Sequence, residues 1–431
     1  MSHEPRPAGD GSALPALRYR DYRVFWLGDG LSSIGTQFTT VAMAWQIYEL
    51  TNSPLQIGML GLAQAIPQMT LLLVGGLLAD AVDRRKLMVA TQLVQLGVSA
   101  LLLTATALRV VSPGVLYLAS MLIGVATSLD NPARQALVPN LVARTDLTNA
   151  LALTNAQRRF AQIAGPALAG VALAAVGPAL CYGVDTASWL AMLAALLMLR
   201  TRPSAAGRPA VSLKALGEGC RFVWTHPVIL TMMALDFGMN FLGSPQALLP
   251  IYARDILVVG PQGLGMLYAA TAAGSLVAAL CMSLRGTVQR AGLLVLVGVI
   301  VYGATTVVFA LSHLFWLSLL MLAGAGAGNT VGAVLRQTIN QLSVPDELRG
   351  RMTAVNSVFT TGGPRLGQFE SGVTAAWWGA EASALVGGLA TVALALGVLL
   401  QGSVRNLEIV GGRPVDRRAG AASAASAETP A

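Results

Sequence analysis

Gly75–Lys86 reads GGLLADAVDRRK, and this stretch decides how the rest of the chain is read. Long apolar segments flank it on both sides, at about 55–79 and 87–108. Gly75 and Gly76 carry no side chain, so a neighbouring helix can approach closely there. Asp80 and Asp83 follow at a helix end, and then the cations Arg84, Arg85 and Lys86. Three cations between two apolar helices stay on the cytoplasmic side, because carrying them through a bilayer is costly. Acids and bases this close can pair with one another or with neighbouring helix ends. Such a cluster can latch one conformation of a moving bundle, or it can serve only as a topology-setting positive loop.

Composition agrees with a membrane environment. The chain has 431 residues, 55% apolar and only 11% charged, with mean hydropathy +0.64. Soluble domains carry about 25% charged residues, and a soluble chain of this length could not cover its surface with so few. Twelve segments approach the roughly 20 apolar residues a spanning helix needs. They lie at about 24–48, 55–79, 87–108, 114–133, 150–176, 179–199, 228–252, 262–284, 291–311, 314–338, 352–376 and 379–401. The net charge of +8 does not point to nucleic acid, because Lys and Arg concentrate in alternate loops and the tails. By that rule both termini are cytoplasmic. Cys181, Cys220 and Cys281 are scattered, without metal spacing, and no disulfide is expected.

The segments group into an amino-terminal arm (1–21), six helices (22–199), a linker with an amphipathic surface helix (200–227), six more helices (228–401) and a disordered tail (402–431). The two sets echo each other. Asp29 and Asp236 lie 207 positions apart, as do the GML triplets at Gly58 and Gly265. RQALVPNLV from Arg134 pairs with RQTINQLSV from Arg336 at an offset of 202. Such a repeat marks a duplicated six-helix unit. The expected fold is an all-α membrane protein, twelve transmembrane helices in two pseudo-symmetric six-helix bundles.

Ionisable groups at membrane depth are the functional candidates, because they are expensive there. Asp29 and Asp236 can each face the interior and carry a proton, or pair with an Arg and hold structure; Asp236 is the expected coupling site, and the shallower Asp29 is expected to hold structure. Arg365 and Glu370 lie five apart in the eleventh segment, too far for an ideal same-face pair. Glu370 is expected to face a central cavity, with an inter-helix ion pair as the alternative. Arg158 and Arg159 are candidate partners for an acid. Gly165, Pro166 and Gly170 place a kink and a close-packing surface in helix five. Trp26, Trp45 and Tyr48 either line a cavity or anchor the interface. No nucleotide-binding loop, nucleophile or metal cluster is present in the sequence, so an enzyme is not expected.

The opening stretch resembles the loop between helices two and three of major facilitator superfamily transporters: a glycine, three residues, an aspartate, then a short basic run. Gly76, Asp80, Arg84, Arg85 and Lys86 match, while Ala81 and Asp83 depart from that pattern. Residues 161–170, AQIAGPALAG, resemble the fifth-helix pattern of the superfamily's exporters, which is associated there with antiport. RDYRVFWLGDGLSSIG, NPARQALVPNLV and GGPRLGQFESG look like the branch that contains the enterobactin exporter and macrolide efflux proteins. The resemblance implies a proton-coupled exporter of a small amphipathic molecule such as a siderophore or drug. It would sit in the inner membrane as a monomer, powered by the proton gradient and needing no cofactor. The same fold also supports nutrient import, and a transporter-like receptor is a remoter alternative.

Overall fold

The computed structural model describes residues 14–81, 84–200, 221–285, 290–344, 346–401, 404–405, 407–410 and 413–416. Twelve long helices run through them: α1 (Arg20–Thr51), α2 (Pro54–Ala81), α3 (Arg84–Ala107), α4 (Pro113–Leu141), α5 (Leu147–Ala175), α6 (Pro178–Met198), α7 (Pro227–Leu242), α8 (Gly260–Arg285), α9 (Ala291–Ala310), α10 (Phe315–Ser343), α11 (Asp346–Trp378) and α12 (Ala380–Gln401). Proline opens α2, α4, α6 and α7, where its missing N–H has no helical partner to lose. Gly177 and Gly379, 202 positions apart, make the tight α5–α6 and α11–α12 turns with φ of 99° and 85°. That left-handed backbone costs glycine little, and the turns extend the repeat beyond the matches read from sequence.

Eight of the described helices are long and apolar enough on composition alone to cross a membrane. Three others, α1, α5 and α11, hold Asp29, Arg158 with Arg159, and Arg365 with Glu370. Large apolar side chains such as Leu31, Phe160, Val171 and Leu280 point outward, each more than half exposed. A lipid-facing surface has that character.

Helices α1–α6 pack on one another, and so do α7–α12. Among the described residues the two bundles share a buried core at the end where Ile47, Tyr48 and Ile57 meet Leu249, Tyr252 and Leu264. At the other end each bundle keeps its own core, around Tyr22, Phe25, Met88 and Met192 in the first and Met232, Leu235, Val295 and Ile339 in the second. The bundles therefore meet at the end bearing the α1–α2 and α11–α12 turns. Toward the end where α1 begins, the described buried residues form a separate core in each bundle.

Two expectations change. The seventh span, expected unbroken over 228–252, is interrupted after Leu242 and resumes through a 3-10 turn (Pro245–Ala247), a short helical step (Leu249–Ile251) and a π-helical turn (Tyr252–Ile256). Pro245 cannot donate to the helical ladder, and its ring clashes with the preceding turn. The freed carbonyls find partners in the second bundle: the Tyr302 hydroxyl donates to Gly243 O at 2.5 Å, and Ser371 Oγ to Ser244 O at 3.0 Å. Broken backbone at membrane depth is tolerated under that condition.

The tail is the second correction. Leu407–Val410 and Arg413–Asp416 pair as an antiparallel two-stranded sheet, β1 and β2. Val404 and Leu407 are buried against Ala291 and Val295. Gly411-Gly412 between two apolar-polar runs is a hairpin signal. Residues 1–13, the linker over 201–220 and 417–431 lie outside the described residues, as do the side chains of Gly76, Asp80, Asp83, Arg84 and Arg85. Lys86 is exposed.

Candidate transport site

Asp29 of α1 is fully buried, and Arg134 of α4 donates to it through Nη1. Arg134 also holds Asp130, one turn back on α4, at 2.7 Å. Arg158 of α5 brings Nε to 3.7 Å from Asp29 Oδ2. Thr91 and Gln92 of α3 donate to Asp130 at 3.0 and 2.9 Å. Two buried acids thus face two cations, as burial requires, because an isolated charge in a low dielectric is prohibitively costly.

The second bundle repeats the pair. Arg336 of α10 contacts Asp236 of α7 at 2.5 Å. The residues that repeat in sequence, Asp29 with Asp236 and Arg134 with Arg336, are therefore the two ends of one ion pair built twice. The copies differ at the position equivalent to Asp130, which is Gly332. Arg336 Nη1 is left without a hydrogen-bond partner.

The glycine repeat has an equally concrete role. Gly58 of α2 lies against Gly372 of α11, so close that a Cβ on Gly372 would stand 2.7 Å from Gly58 Cα. Gly170 of α5 lies against Gly265 of α8, where a Cβ on Gly170 would stand 2.9 Å from Gly265 Cα. Offsets of 207 and 202 convert one crossing into the other. These are two symmetry-related contacts between the bundles, both at the shut end. The Gly165–Gly170 segment of helix five supplies one of them, and the carbonyl of Pro166 faces Gly265. At the same end the Tyr48 hydroxyl donates to Asp255, and the Arg254 guanidinium lies 5.5 Å from the Tyr48 ring centroid.

Between the bundles lies a cavity of about 260 Å³. Its first-bundle wall carries Thr36, Thr40, Gln64, Gln68, Gln95 and Asp185, and its second-bundle wall Gln246, Tyr268, Arg365 and Gln368. Arg365 donates to Gln368 Oε1 at 3.3 Å. Among the described residues no carboxylate lies within ion-pair distance of it. Hydroxyls and amides dominate the lining, which suits a ligand with several hydrogen-bonding groups on a compact body.

Of the residues singled out in sequence, Asp29 and Arg158 come together, Asp236 meets Arg336, and Arg365 reaches the cavity. Glu370 does not line that cavity. It is half-buried and accepts from Ser371 Oγ at 3.4 Å, because five residues along α11 rotate it away from Arg365. Arg159 is exposed and donates to Gln162 at 3.2 Å. Trp26, Trp45 and Tyr48 are absent from the lining, and Trp26 Nε1 donates to Leu153 O at 3.4 Å. Asp185 and Asp130 were not singled out, although each is a lone acid in an apolar run, the same signal that marked Asp29.

A duplicated helical bundle with a polar cavity between its halves, sealed at one end, is the architecture of a secondary transporter. The chain belongs to the transmembrane secretion effector family of the major facilitator superfamily, which it matches over residues 11–420. Members of this superfamily are transporters rather than enzymes. Similar proteins include the enterobactin exporter EntS of Citrobacter koseri, 29% identical over 380 residues, covering 88% of this chain and 91% of that protein. EntS of Salmonella typhi is 28% identical over 385 residues, covering 88% and 91%. Among solved structures, a variant of the nucleoside transporter NupG superposes with a TM-score of 0.69 at 13% identity, covering 88% of this chain and 99% of that one. A bacterial homologue of the iron transporter ferroportin, in an inward-facing state, gives 0.66 at 16% identity, covering 87% and 98%. The structural matches establish the fold, and the chain is a multi-pass membrane transporter of that fold.

Proposed function

We propose that this chain exports a small amphipathic molecule across the inner membrane, driven by protons moving inward. The two bundles rock about a central site. The observation that carries this reading is the polar cavity between bundles that, among the described residues, touch through paired glycine crossings at one end. The basic loops lie toward the end where the bundles part, so that end is cytoplasmic by the positive-inside rule. A substrate would then enter from the cytoplasm and leave after the bundles tilt. The EntS relatives, named as enterobactin exporters, support export and a siderophore-like substrate.

In this reading the Gly76–Lys86 loop latches one conformation. The kink at Gly165, Pro166 and Gly170 provides a closing surface. Arg365 binds substrate, and Glu370 remains a candidate for binding substrate or proton. Asp29 and Asp236 act as struts, because a proton arriving at either would have to displace an arginine. A single chain completes the cavity, so a monomer suffices, and no cofactor is required.

Nutrient import on the same fold is the rival, and vectorial transport distinguishes the two. In everted vesicles energised to an acidic interior, an exporter accumulates a catecholate siderophore or cationic dye and an importer does not. Accumulation only in right-side-out vesicles would refute export.

A further inference from the structure

We propose that Asp185, on α6, is the proton-binding carboxyl of the central cavity. The inference rests on the transport reading for its use, but the site itself can be tested without transport.

Asp185 is 2% exposed and lines the cavity. Thr39 of α1 donates to Oδ2 at 2.6 Å and Ser99 of α3 donates to the same oxygen at 2.5 Å. Ser188 Oγ lies 3.4 Å from Oδ1, and the Trp189 indole is a further neutral donor. Among the described residues the other buried acids, Asp29 and Asp130, sit on an arginine, and so does the partly exposed Asp236. Asp185 is surrounded instead by groups that solvate its charge without cancelling it.

That difference decides what the group can do. An arginine-bound carboxylate takes a proton only by breaking an ion pair. A carboxylate held by hydroxyls takes one at much lower cost, because a hydroxyl both donates and accepts. Rotating one hydroxyl turns a donor to the ionised acid into an acceptor from the neutral one. The cage therefore serves both protonation states, as a group that binds and releases protons at membrane depth requires.

The charged and titratable groups around it do not displace this role. On α1 the nearest is Asp29, held by Arg134 and Arg158. On α3 Lys86 lies at the far, exposed end. Arg158 and Arg159 of α5 sit toward the end where the bundles part. On α6 itself Cys181 and Tyr182 lie one turn away. Across the cavity, Arg365 and Tyr268 belong to the other bundle. None of these is within ion-pair distance of Asp185. Among the described residues that line this cavity, Asp185 is the acid on one bundle and Arg365 the base on the other.

Antiport requires substrate to bind best when Asp185 is ionised, so the exported molecule should present a hydrogen-bond donor or cation to this wall.

The test is infrared difference spectroscopy of the full chain in nanodiscs across a pH series. The expected result is the carbonyl band of a protonated, water-shielded carboxylic acid that grows as pH falls. It should be lost in Asp185→Asn, retained in Asp236→Asn and restored in Asp185→Glu. Combined Thr39→Val and Ser99→Ala should keep the band and displace its midpoint. A band that survives Asp185→Asn, or is lost only in Glu370→Gln, overturns the assignment, and so does a midpoint indifferent to the cage. If wild-type protein in proteoliposomes moves neither a catecholate siderophore nor a cationic dye, the transport reading fails while the infrared result still stands.

Discussion

Gly170→Ala should shift the balance between the two conformations without unfolding either bundle. A methyl there would stand 2.7 Å from the Pro261 carbonyl oxygen and 2.9 Å from Gly265 Cα. Both neighbours are backbone of the other bundle and cannot swing aside. Ordinary contact begins near 3.4 Å, so the crossing must widen by roughly 0.7 Å. Overpacking of this kind costs about 1–3 kcal/mol. The contact joins the two bundles, so the cost falls on the state in which this end is shut. At about 1.4 kcal/mol per tenfold, that state loses roughly 5- to 140-fold in relative population. Spin labels at the exposed Glu49 and Trp377 would read the change as a longer inter-bundle distance, in a chain whose three cysteines are replaced by serine. Gly265→Ala should do the same, because its methyl would collide with the Pro166 carbonyl oxygen. Distances that stay unchanged in both variants, at normal expression, would refute the idea that these crossings are the gate.

Other outcomes follow from the same geometry. Arg134→Ala strands the buried Asp130 and leaves buried Asp29 with only Arg158 at 3.7 Å, and losing one partner of a buried pair costs about 3–5 kcal/mol; thermal unfolding in detergent should show a larger drop than Arg336→Ala, which strands only the partly exposed Asp236. Equal drops would contradict the asymmetry at Gly332. Tyr48→Phe removes the hydroxyl donated to Asp255 and should loosen the shut end about 2- to 12-fold, from a hydrogen bond worth about 0.5–1.5 kcal/mol, read by the same label pair; an unchanged distance distribution would remove Tyr48 from the gate. Arg365→Gln should lose substrate binding in a thermal-shift titration while the unliganded midpoint stays near wild type, because no acid is left unpaired; retained binding would remove Arg365 from the site.

Much of this architecture is legible in the residues themselves. Low charge, twelve apolar runs and alternating basic loops are consequences of bilayer solvation, so they lead to the bundle directly. The repeats at Gly58, Asp29 and Arg134 are visible as offsets, but an offset does not say which helices are neighbours. That Gly58 meets Gly372, or that Asp29 meets Arg134, depends on how six helices pack in space. Asp185 is within reach of the depth argument that marks Asp29, but hydropathy alone makes CYGVDTASWL an apolar span. Its hydroxyl cage was not readable, since Thr39 and Ser99 come from two other helices. The break after Leu242 was signalled by Gly243-Ser244-Pro245, which hydropathy averaging over a whole span conceals. In the tail, Gly, Ala and Ser content outweighed the short strand pattern around Gly411-Gly412. Depth alone points Glu370 to the cavity, but the helical rotation from Arg365 sends it elsewhere.

Proton-linked movement of a solute is the claim on which the functional account stands, and purified chain in proteoliposomes with a trapped pH dye tests it most directly. Adding a transported siderophore or dye outside the vesicles should draw protons out of the lumen in exchange for the entering solute, so that the trapped dye reports alkalinisation in wild type, and Asp185→Asn should move solute down its gradient with no proton signal. Solute movement by wild type with no accompanying proton flux would contradict the account.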